Sequence, residues 1–306
     1  MARNDERRRV RRPIGDNRGR ATTDSQTLPV SLPFQRTTAM TPSTTPPLDR
    51  IVDLLAGAER IVVMTGAGMS AESGIPTFRG SKSGLWARFD PEELATADAF
   101  RHDMALVWGW YRWRTALVEQ ARPHPGHVAV AELGRLKPGL VVVTQNVDDL
   151  HERAGSADVV HLHGSLFAAR CLACARPHPH QRLPAAAALE PELRVVPPDC
   201  SHCGGPIRPG VVWFGESLPV SAWQRAEQVS RECDALLVVG TSGVVQPAAS
   251  LPGLVKQRRK PVIEINPAHS GITPLADVFW NATAAEGLPK VVAGLQTTGR
   301  SRPPTA

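Results

Sequence analysis

The sequence lacks the long apolar runs and leader patterns that mark membrane and exported proteins. No apolar run in the 306 residues reaches the ~18 residues that a membrane-spanning helix needs. Residues 1 to 20 are rich in arginine but contain no apolar core of a secretory signal. Asp5, Glu6 and Asp16 also argue against a transit peptide, because such peptides are poor in acidic residues. We therefore expect a cytoplasmic protein that does not bind membranes.

Cysteine is scarce, and its number is odd. Five cysteines cannot form a complete disulfide framework. Four of them form two CxxC pairs, Cys171 with Cys174 and Cys200 with Cys203. Four thiolates close a tetrahedral zinc site with no open position for a reacting water, so we predict one structural zinc. Unrelated free thiols and a redox CxxC are the alternatives.

Other side chains near these pairs are less suited to the metal. His178, His180 and His202 offer substitute ligands, but a full set of cysteines makes them unnecessary. Cys233 precedes an apolar run and is expected in the core.

The positive charge is confined to one end of the chain. The net charge is +6 with a pI of about 9.4, yet residues 1 to 20 hold eight arginines against three acidic residues. The rest of the chain is nearly neutral. We expect residues 1–47 to form a disordered basic tail, with nucleic-acid binding limited to weak contact by that tail.

Apolar segments of strand length alternate with segments of helical periodicity. The predicted strands are 60–65, 140–143, 159–162, 235–239, 262–265 and a short one after residue 278. Helices are predicted at 48–56, 98–121, 126–136 and before residue 296. This alternation predicts an α/β fold, a Rossmann-like doubly wound parallel sheet, with the cysteine segment inserted as a smaller domain.

A glycine-rich turn, GAGMSAESG, follows the first predicted strand from Gly66 onward. In doubly wound folds such a turn receives a dinucleotide pyrophosphate. Only two glycines of the usual fingerprint are present, so an ordinary tight turn is an alternative. Pro76, Thr77, Phe78 and Arg79 extend the turn with an aromatic ring and a guanidinium.

Polar residues follow the ends of several predicted strands. These residues are Gly66, Gln145, His163, Gly240 and Asn266. Ligands of open α/β sheets bind at the carboxyl ends of the strands. We therefore expect the site at this edge of the sheet.

The chain resembles the sirtuins, the NAD-dependent protein-lysine deacylases. The resemblance rests on collinear motifs across about residues 48–296. They are GAGMSAESGIPTFR (66–79), TQNVDDLHERAG (144–155), HLHGSLF (161–167), VVWFGE (211–216), VGTS (239–242) and EINP (264–267), with the two CxxC pairs. It implies a catalytic domain over 48–296, with a helical insertion at about 80–137 and a zinc module at about 168–210. Residues 297–306 are then a disordered terminus.

The resemblance also implies roles for individual residues. His163 would be the catalytic base, assisted by Asn146 and Asp148. The implied NAD-binding set is Gly66, Ala67, Gly68, Glu72, Thr77, Phe78, Arg79, Trp86, Gln145, Asn146, Val147, Asp148, Gly240, Thr241, Ser242, Asn266 and Ala284. The segment Val212, Trp213 and Phe214 would pair with the backbone of an acyl-lysine peptide. NAD would be consumed, giving nicotinamide and O-acyl-ADP-ribose.

Tyr111 and Arg114 point to one sirtuin class. The YxxR spacing puts both on one helix face, and the pair resembles that of the class that removes succinyl or malonyl groups. Arginine can hold a carboxylate bidentately while tyrosine donates a second hydrogen bond. Packing with a solvated charge is the alternative. We expect an acidic-acyl preference together with deacetylation.

Two other functions are compatible with the motifs. A protein mono-ADP-ribosyltransferase would use the same NAD pocket but transfer ADP-ribose to a side chain. A non-enzymatic NAD-sensing scaffold would lack catalytic groups, whereas His163, Asn146 and Asp148 are present. The deacylase is therefore the leading hypothesis.

Overall fold

The computed structural model describes residues 47–76, 90–181, 183 and 192–301. The predicted tail, apart from Pro47, and the last residues from 302 onward lie outside this part. Four predicted NAD-binding residues also lie outside it, namely Thr77, Phe78, Arg79 and Trp86.

The described residues alternate strands and helices along the chain. The strands are β1 (Ile61–Thr65), β2 (Val141–Thr144), β3 (Val159–His161), β4 (Arg170–Cys171), β5 (Ile207–Arg208), β6 (Ala235–Val239), β7 (Val262–Asn266) and β8 (Val278–Asn281). The helices are α1 (Pro47–Ala56), α2 (Gly68–Ala71), α3 (Pro91–Leu94), α4 (Ala97–His102), α5 (Met104–Gln120), α6 (Pro125–Leu136), α7 (Leu150–Ala154), α8 (Val220–Glu232), α9 (Leu251–Gln257) and α10 (Ala284–Ser301). None of the helices in these ranges has both the length and the apolar character of a bilayer-spanning segment.

Six strands form one parallel sheet in the order β3-β2-β1-β6-β7-β8. The order reverses beside β1, which is the strand arrangement of a Rossmann-like fold. β1 lies between β2 and β6, and all of its residues are buried. This confirms the predicted fold class and explains why the strands read as continuous apolar runs.

Helices cover both faces of the sheet because neighbouring strand residues point to opposite faces. Ile61 and Val63 pack into a core with α1, α6 and α10. Val62 and Met64 pack into a second core with α8 and α9. The sheet edge that carries the strand ends is thus held by packing on both sides.

Two smaller cores lie away from the sheet. One joins α4 and α5 to Trp213, whose ring lies 5.2 Å from that of Phe100. The other lies under the antiparallel pair β4 and β5 and includes Cys171, Cys200 and Ile207. These cores carry the helical insertion and the cysteine module.

The structure differs from the sequence prediction at two helix boundaries. The predicted helix 98–121 is two helices, because Asp103 leaves the helical conformation and its carboxylate caps Leu106 at the start of α5. α6 packs in the sheet core, where Val130 and Leu133 lie with residues of α1. The last helix continues beyond residue 296 to Ser301, the last residue that the structure describes.

Candidate functional site

The glycine-rich turn packs directly against the loop that follows β6. The N–H of Gly66 donates to the Val239 carbonyl, and that of Gly68 donates to the Gly240 carbonyl at 2.7 Å. A Cβ on Gly68 would come within 2.7 Å of that same Gly240 oxygen. Gly240 itself has a φ of +61°, which favours glycine. The two loops therefore meet without side chains between them, and their backbones line one edge of the site.

Ser70 organises the two predicted pocket residues, although the sequence did not single it out. The amide of Asn146 donates to the Ser70 hydroxyl at 3.0 Å, and that hydroxyl donates to Asp148 at 2.9 Å. All three side chains are buried. Burial raises the pKa of Asp148, although hydrogen bonds from Leu150 and Ser70 oppose the rise. A buried amide and carboxyl group are therefore fixed beside the glycine-rich turn.

His163 follows β3 and has a defined orientation. Its Nδ1 lies 3.0 Å from the carbonyl oxygen of Gln145. A carbonyl only accepts hydrogen bonds, so Nδ1 carries the proton and Nε2 holds the lone pair. Burial lowers the pKa of His163, opposed by the bond to Gln145. The ring is therefore neutral near pH 7, as a general base must be.

His161 has different partners from His163 although it is only two residues away. Its Nε2 lies 2.6 Å from Glu152, and its Nδ1 lies 3.1 Å from the Asn146 carbonyl. Burial disfavours its charged form, but the hydrogen bonds to Glu152 and Asn146, together with the negative charges of Glu152 and Asp148, raise its pKa. Both nitrogens are engaged, so His163 is the better base of the two.

Further residues of the predicted NAD-binding set meet around Thr241. Gln145 donates to the Thr241 hydroxyl at 2.9 Å, and Asn266 donates to the Thr241 carbonyl at 2.9 Å. Ser242 lies next to them and is exposed. Glu264, which the sequence did not single out, is fully buried and accepts the hydroxyls of Ser270 and Thr273. It thereby ties this edge of β7 to the loop that follows it.

Glu72 and Ala284 meet at the start of α10. The Glu72 carboxylate accepts the N–H of Ala285 at 2.9 Å, which caps that helix. Ala284 is buried in the sheet core. Val147, another predicted NAD-binding residue, accepts the Leu166 N–H through its carbonyl. Each of these three residues has a structural contact in addition to the predicted ligand role.

The segment predicted to bind the peptide, residues 212–214, is hydrogen-bonded to the backbone of His163. The N–H of Val212 donates to the His163 carbonyl at 2.8 Å, and that of Phe214 donates to Ala95. The side chain of Phe214 is 45% exposed, whereas Trp213 is buried. An exposed ring on a fixed backbone beside the base is suited to contact a substrate peptide.

Tyr111 and Arg114 are both buried on α5. The Tyr111 hydroxyl accepts the Trp213 indole N–H at 3.0 Å, so its own proton remains to be donated. Burial raises the pKa of Tyr111 and keeps the hydroxyl protonated. Burial also lowers the pKa of Arg114, which lies 5.1 Å above the Trp110 ring. A buried cation and a hydroxyl donor therefore share one helix face.

The four cysteines of the CxxC pairs come together. Their sulfur atoms all lie within 4.8 Å of one another, with Cys171 and Cys203 at 3.5 Å and Cys174 and Cys200 at 3.8 Å. Thiolates bound tetrahedrally to zinc at ~2.3 Å lie about 3.8 Å apart. The cluster therefore fits one zinc ion, as predicted. Cys233 lies apart in the second sheet core.

Comparison with known proteins agrees with this geometry. A model of the Sir2 family matches residues 66–247. The NAD-dependent protein deacylase 1 of Pseudomonas aeruginosa is 57% identical over 217 residues, which cover 71% of this chain and 86% of that protein.

Solved structures of Sir2 homologues share the fold. One is an NAD complex with a TM-score of 0.75 and 47% identity, covering 82% of this chain and 94% of its own. Another is a mutant bound to 2′-O-acetyl ADP ribose, with a TM-score of 0.76 and 45% identity, covering 84% and 99%. With the family model matching more than half of its length, this chain belongs to the Sir2 family.

Proposed function

We propose that this protein removes acyl groups from lysine side chains of proteins in an NAD-dependent reaction. The products are free lysine, nicotinamide and O-acyl-ADP-ribose. The observation that carries the proposal is the orientation of His163, whose Nε2 lone pair is set by the bond from Nδ1 to Gln145. The named relatives act as NAD-dependent deacylases or bind an acetylated ADP-ribose, which supports the same reaction here.

Some residues of this chain bind the substrates, and His163 transfers a proton. The glycine-rich turn and the loop after β6, which pack closely on each other through Gly66, Gly68 and Gly240, would receive the phosphates of the dinucleotide at the strand ends. Asn146 and Asp148, fixed through Ser70, hold the nicotinamide end. His163 takes the proton of a ribose hydroxyl, which can then receive the acyl group. The cysteine cluster would hold a zinc ion that stabilises its module and takes no part in the chemistry.

An acyl-peptide panel tests this function. Acetyl-, malonyl- and succinyl-lysine peptides are incubated with the purified protein, with and without NAD, and the products are followed by mass spectrometry. We expect O-acyl-ADP-ribose and free lysine only when NAD is present. ADP-ribose attached to the peptide or the protein, without free O-acyl-ADP-ribose, would support a mono-ADP-ribosyltransferase instead.

We further propose a preference for acidic acyl groups, read by Tyr111 and Arg114. A carboxylate could form a charge-assisted hydrogen bond with the buried guanidinium, and such a bond is strong. The free proton of the Tyr111 hydroxyl would supply a second hydrogen bond. Acetyl-lysine offers no distal carboxylate, so Tyr111 and Arg114 would contribute little to its recognition.

Arg114→Met tests the preference, with Arg112→Met on the same helix as the matched control. We expect Arg114→Met to lower kcat/KM for succinyl peptide by about 10- to 100-fold and to change the acetyl rate much less, because a charge-assisted pair is lost. The control should leave both rates near the parent. An unchanged succinyl rate in Arg114→Met would remove Arg114 from the acyl site.

We place the reaction in the cytoplasm. All five cysteines are free thiols in the structure, and a thiolate metal site is favoured in a reducing compartment. Fractionation of the cells that produce the protein would test this location.

A further inference from the structure

Arg208 connects the cysteine module to the predicted peptide segment. It is the last residue of β5 and pairs with Arg170 of β4, one position beyond the pair formed by Cys171 and Ile207. Its side chain is buried, with 5% of the residue exposed. A buried guanidinium needs several partners to offset its lost hydration. Those partners all lie at or next to the segment 211–216.

The two terminal nitrogens of the guanidinium bind this segment, and Nε binds the neighbouring Pro209. Nη1 and Nη2 bind both carboxylate oxygens of Glu216, with Nη2 at 2.9 Å from Oε2. Nη2 also donates to the Val211 carbonyl at 3.0 Å, and Nε donates to the Pro209 carbonyl at 3.2 Å. The guanidinium carbon lies 3.5 Å from the centre of the Trp213 ring. A planar fork with five donors can make this set of contacts, whereas an ammonium cannot.

Trp213 and its neighbours connect these contacts to the candidate site. Glu216 accepts the Trp213 N–H at 2.9 Å, and the Trp213 indole N–H donates to Tyr111 at 3.0 Å. On one side of Trp213, Val212 donates to the His163 carbonyl. Trp213 therefore links Arg208 to Tyr111 of the predicted acyl pair, and the adjoining Val212 links the segment to His163.

We propose that Arg208 is a positioning residue that fixes the segment 211–214 for peptide binding and thereby joins the fold of the cysteine module to the acyl-lysine site. Arg208 itself touches neither NAD nor the reacting atoms. Its loss should weaken peptide binding while leaving NAD binding nearly intact, because the contacts of the glycine-rich turn lie elsewhere. The kinetic part of this inference rests on the proposed deacylation.

Two variants test the role. Arg208→Lys keeps the charge but loses the bidentate bond, and Glu216→Gln keeps the shape but loses the carboxylate at the far side from the cysteines. We expect each to raise KM for the acyl peptide by about 10-fold or more, since a buried charge-assisted bond is broken. KM for NAD and the zinc content should stay near the parent. Arg225→Lys, at an exposed ion pair with Asp158, is the matched control.

Hydrogen–deuterium exchange gives a second readout that needs no activity. The amides of 211–216 should exchange faster in both variants, while those of β1 should not change, because β1 is held by the sheet cores. If Arg208→Lys loses zinc, the positioning role is judged from Glu216→Gln alone. Unchanged exchange and peptide KM, or equal rises in both KM values, would overturn the positioning role. A parent without NAD-dependent deacylation would overturn the proposed function alone, since the exchange result still stands.

Discussion

Two groups of histidines lie near the same strand ends but in different surroundings. His161 and His163 line the candidate site, and each has a hydrogen-bond acceptor that fixes its ring. His124, His127 and His151 stack edge to face beneath the glycine-rich turn, with ring centres 4.2 and 5.1 Å apart. In the second group, His127 is fully buried and neither ring nitrogen has a hydrogen-bond partner.

The difference shows that partners, and not proximity to the site, decide what a histidine can do. A carbonyl orients His163 as a base, and a carboxylate raises the pKa of His161. Burial lowers the pKa of His127 to about 2 and that of His151 to about 4, and neighbouring histidines add to the effect for His127. His127 and His151 are therefore neutral and structural, and the other group is available for chemistry.

The largest effect is expected from His163→Ala. Loss of a general base should lower kcat for deacylation by roughly 10²- to 10⁴-fold. Folding and zinc content should not change, because the contact to Gln145 is a single hydrogen bond. Steady-state assays on an acyl peptide measure the loss, with the exposed His102→Ala as control. Near-parental turnover in His163→Ala would refute the assignment of the base.

Acid should destabilise the protein through the buried group. His127 and His151 stay neutral in the fold, whereas both bind a proton in the unfolded chain below the ordinary pKa of about 6.5. Stability is thus fully present above pH 6.5 and falls as the pH drops toward the folded pKa values. At pH 5, each of the two rings should lower the free energy of unfolding by about 2 kcal/mol.

Urea unfolding at several pH values measures this loss. His127→Phe removes one titrating ring of similar shape, so its acid loss should be about 2 kcal/mol smaller at pH 5. His124, Glu152 and His161 also face this region and are present in both proteins, so the difference reports on His127. If the free energy of unfolding falls equally with pH in the parent and in His127→Phe, then His127 becomes protonated within the fold.

The smallest effect is expected from Glu152→Gln. Removing the carboxylate should lower the pKa of His161, because the bond to Glu152 is the main factor that raises it. NMR titration of the ring measures that change. The deacylation rate should remain within about 3-fold of the parent, because the general base is His163 and not His161. A loss as large as that of His163→Ala would show that the two rings act together.

The sequence was sufficient for the sheet and for much of the site. Apolar runs placed the parallel strands, and polar residues after them placed Gln145, His163 and Asn266 at one edge. The two CxxC spacings predicted the cysteine cluster. These features depend on local patterns, which a sequence displays directly.

The missed features depend on contacts between distant parts of the chain. Ser70 lies within a recognised motif, yet its bonds to Asn146 and Asp148 span more than 70 residues. Arg208 follows no motif of its own, and its role appears only once β5 meets Trp213. The break at Asp103 was missed because periodicity continues across it, although an aspartate before a helix is a capping signal.

The contact between Gly68 and Gly240 constrains how this protein can be altered. A methyl group on either glycine would meet backbone atoms of the other loop within 3 Å. Replacing both glycines would only add a second clash, so a mutant library of these loops must leave both positions unchanged. A chimera that takes each half of the sheet from a different relative must likewise keep both glycines.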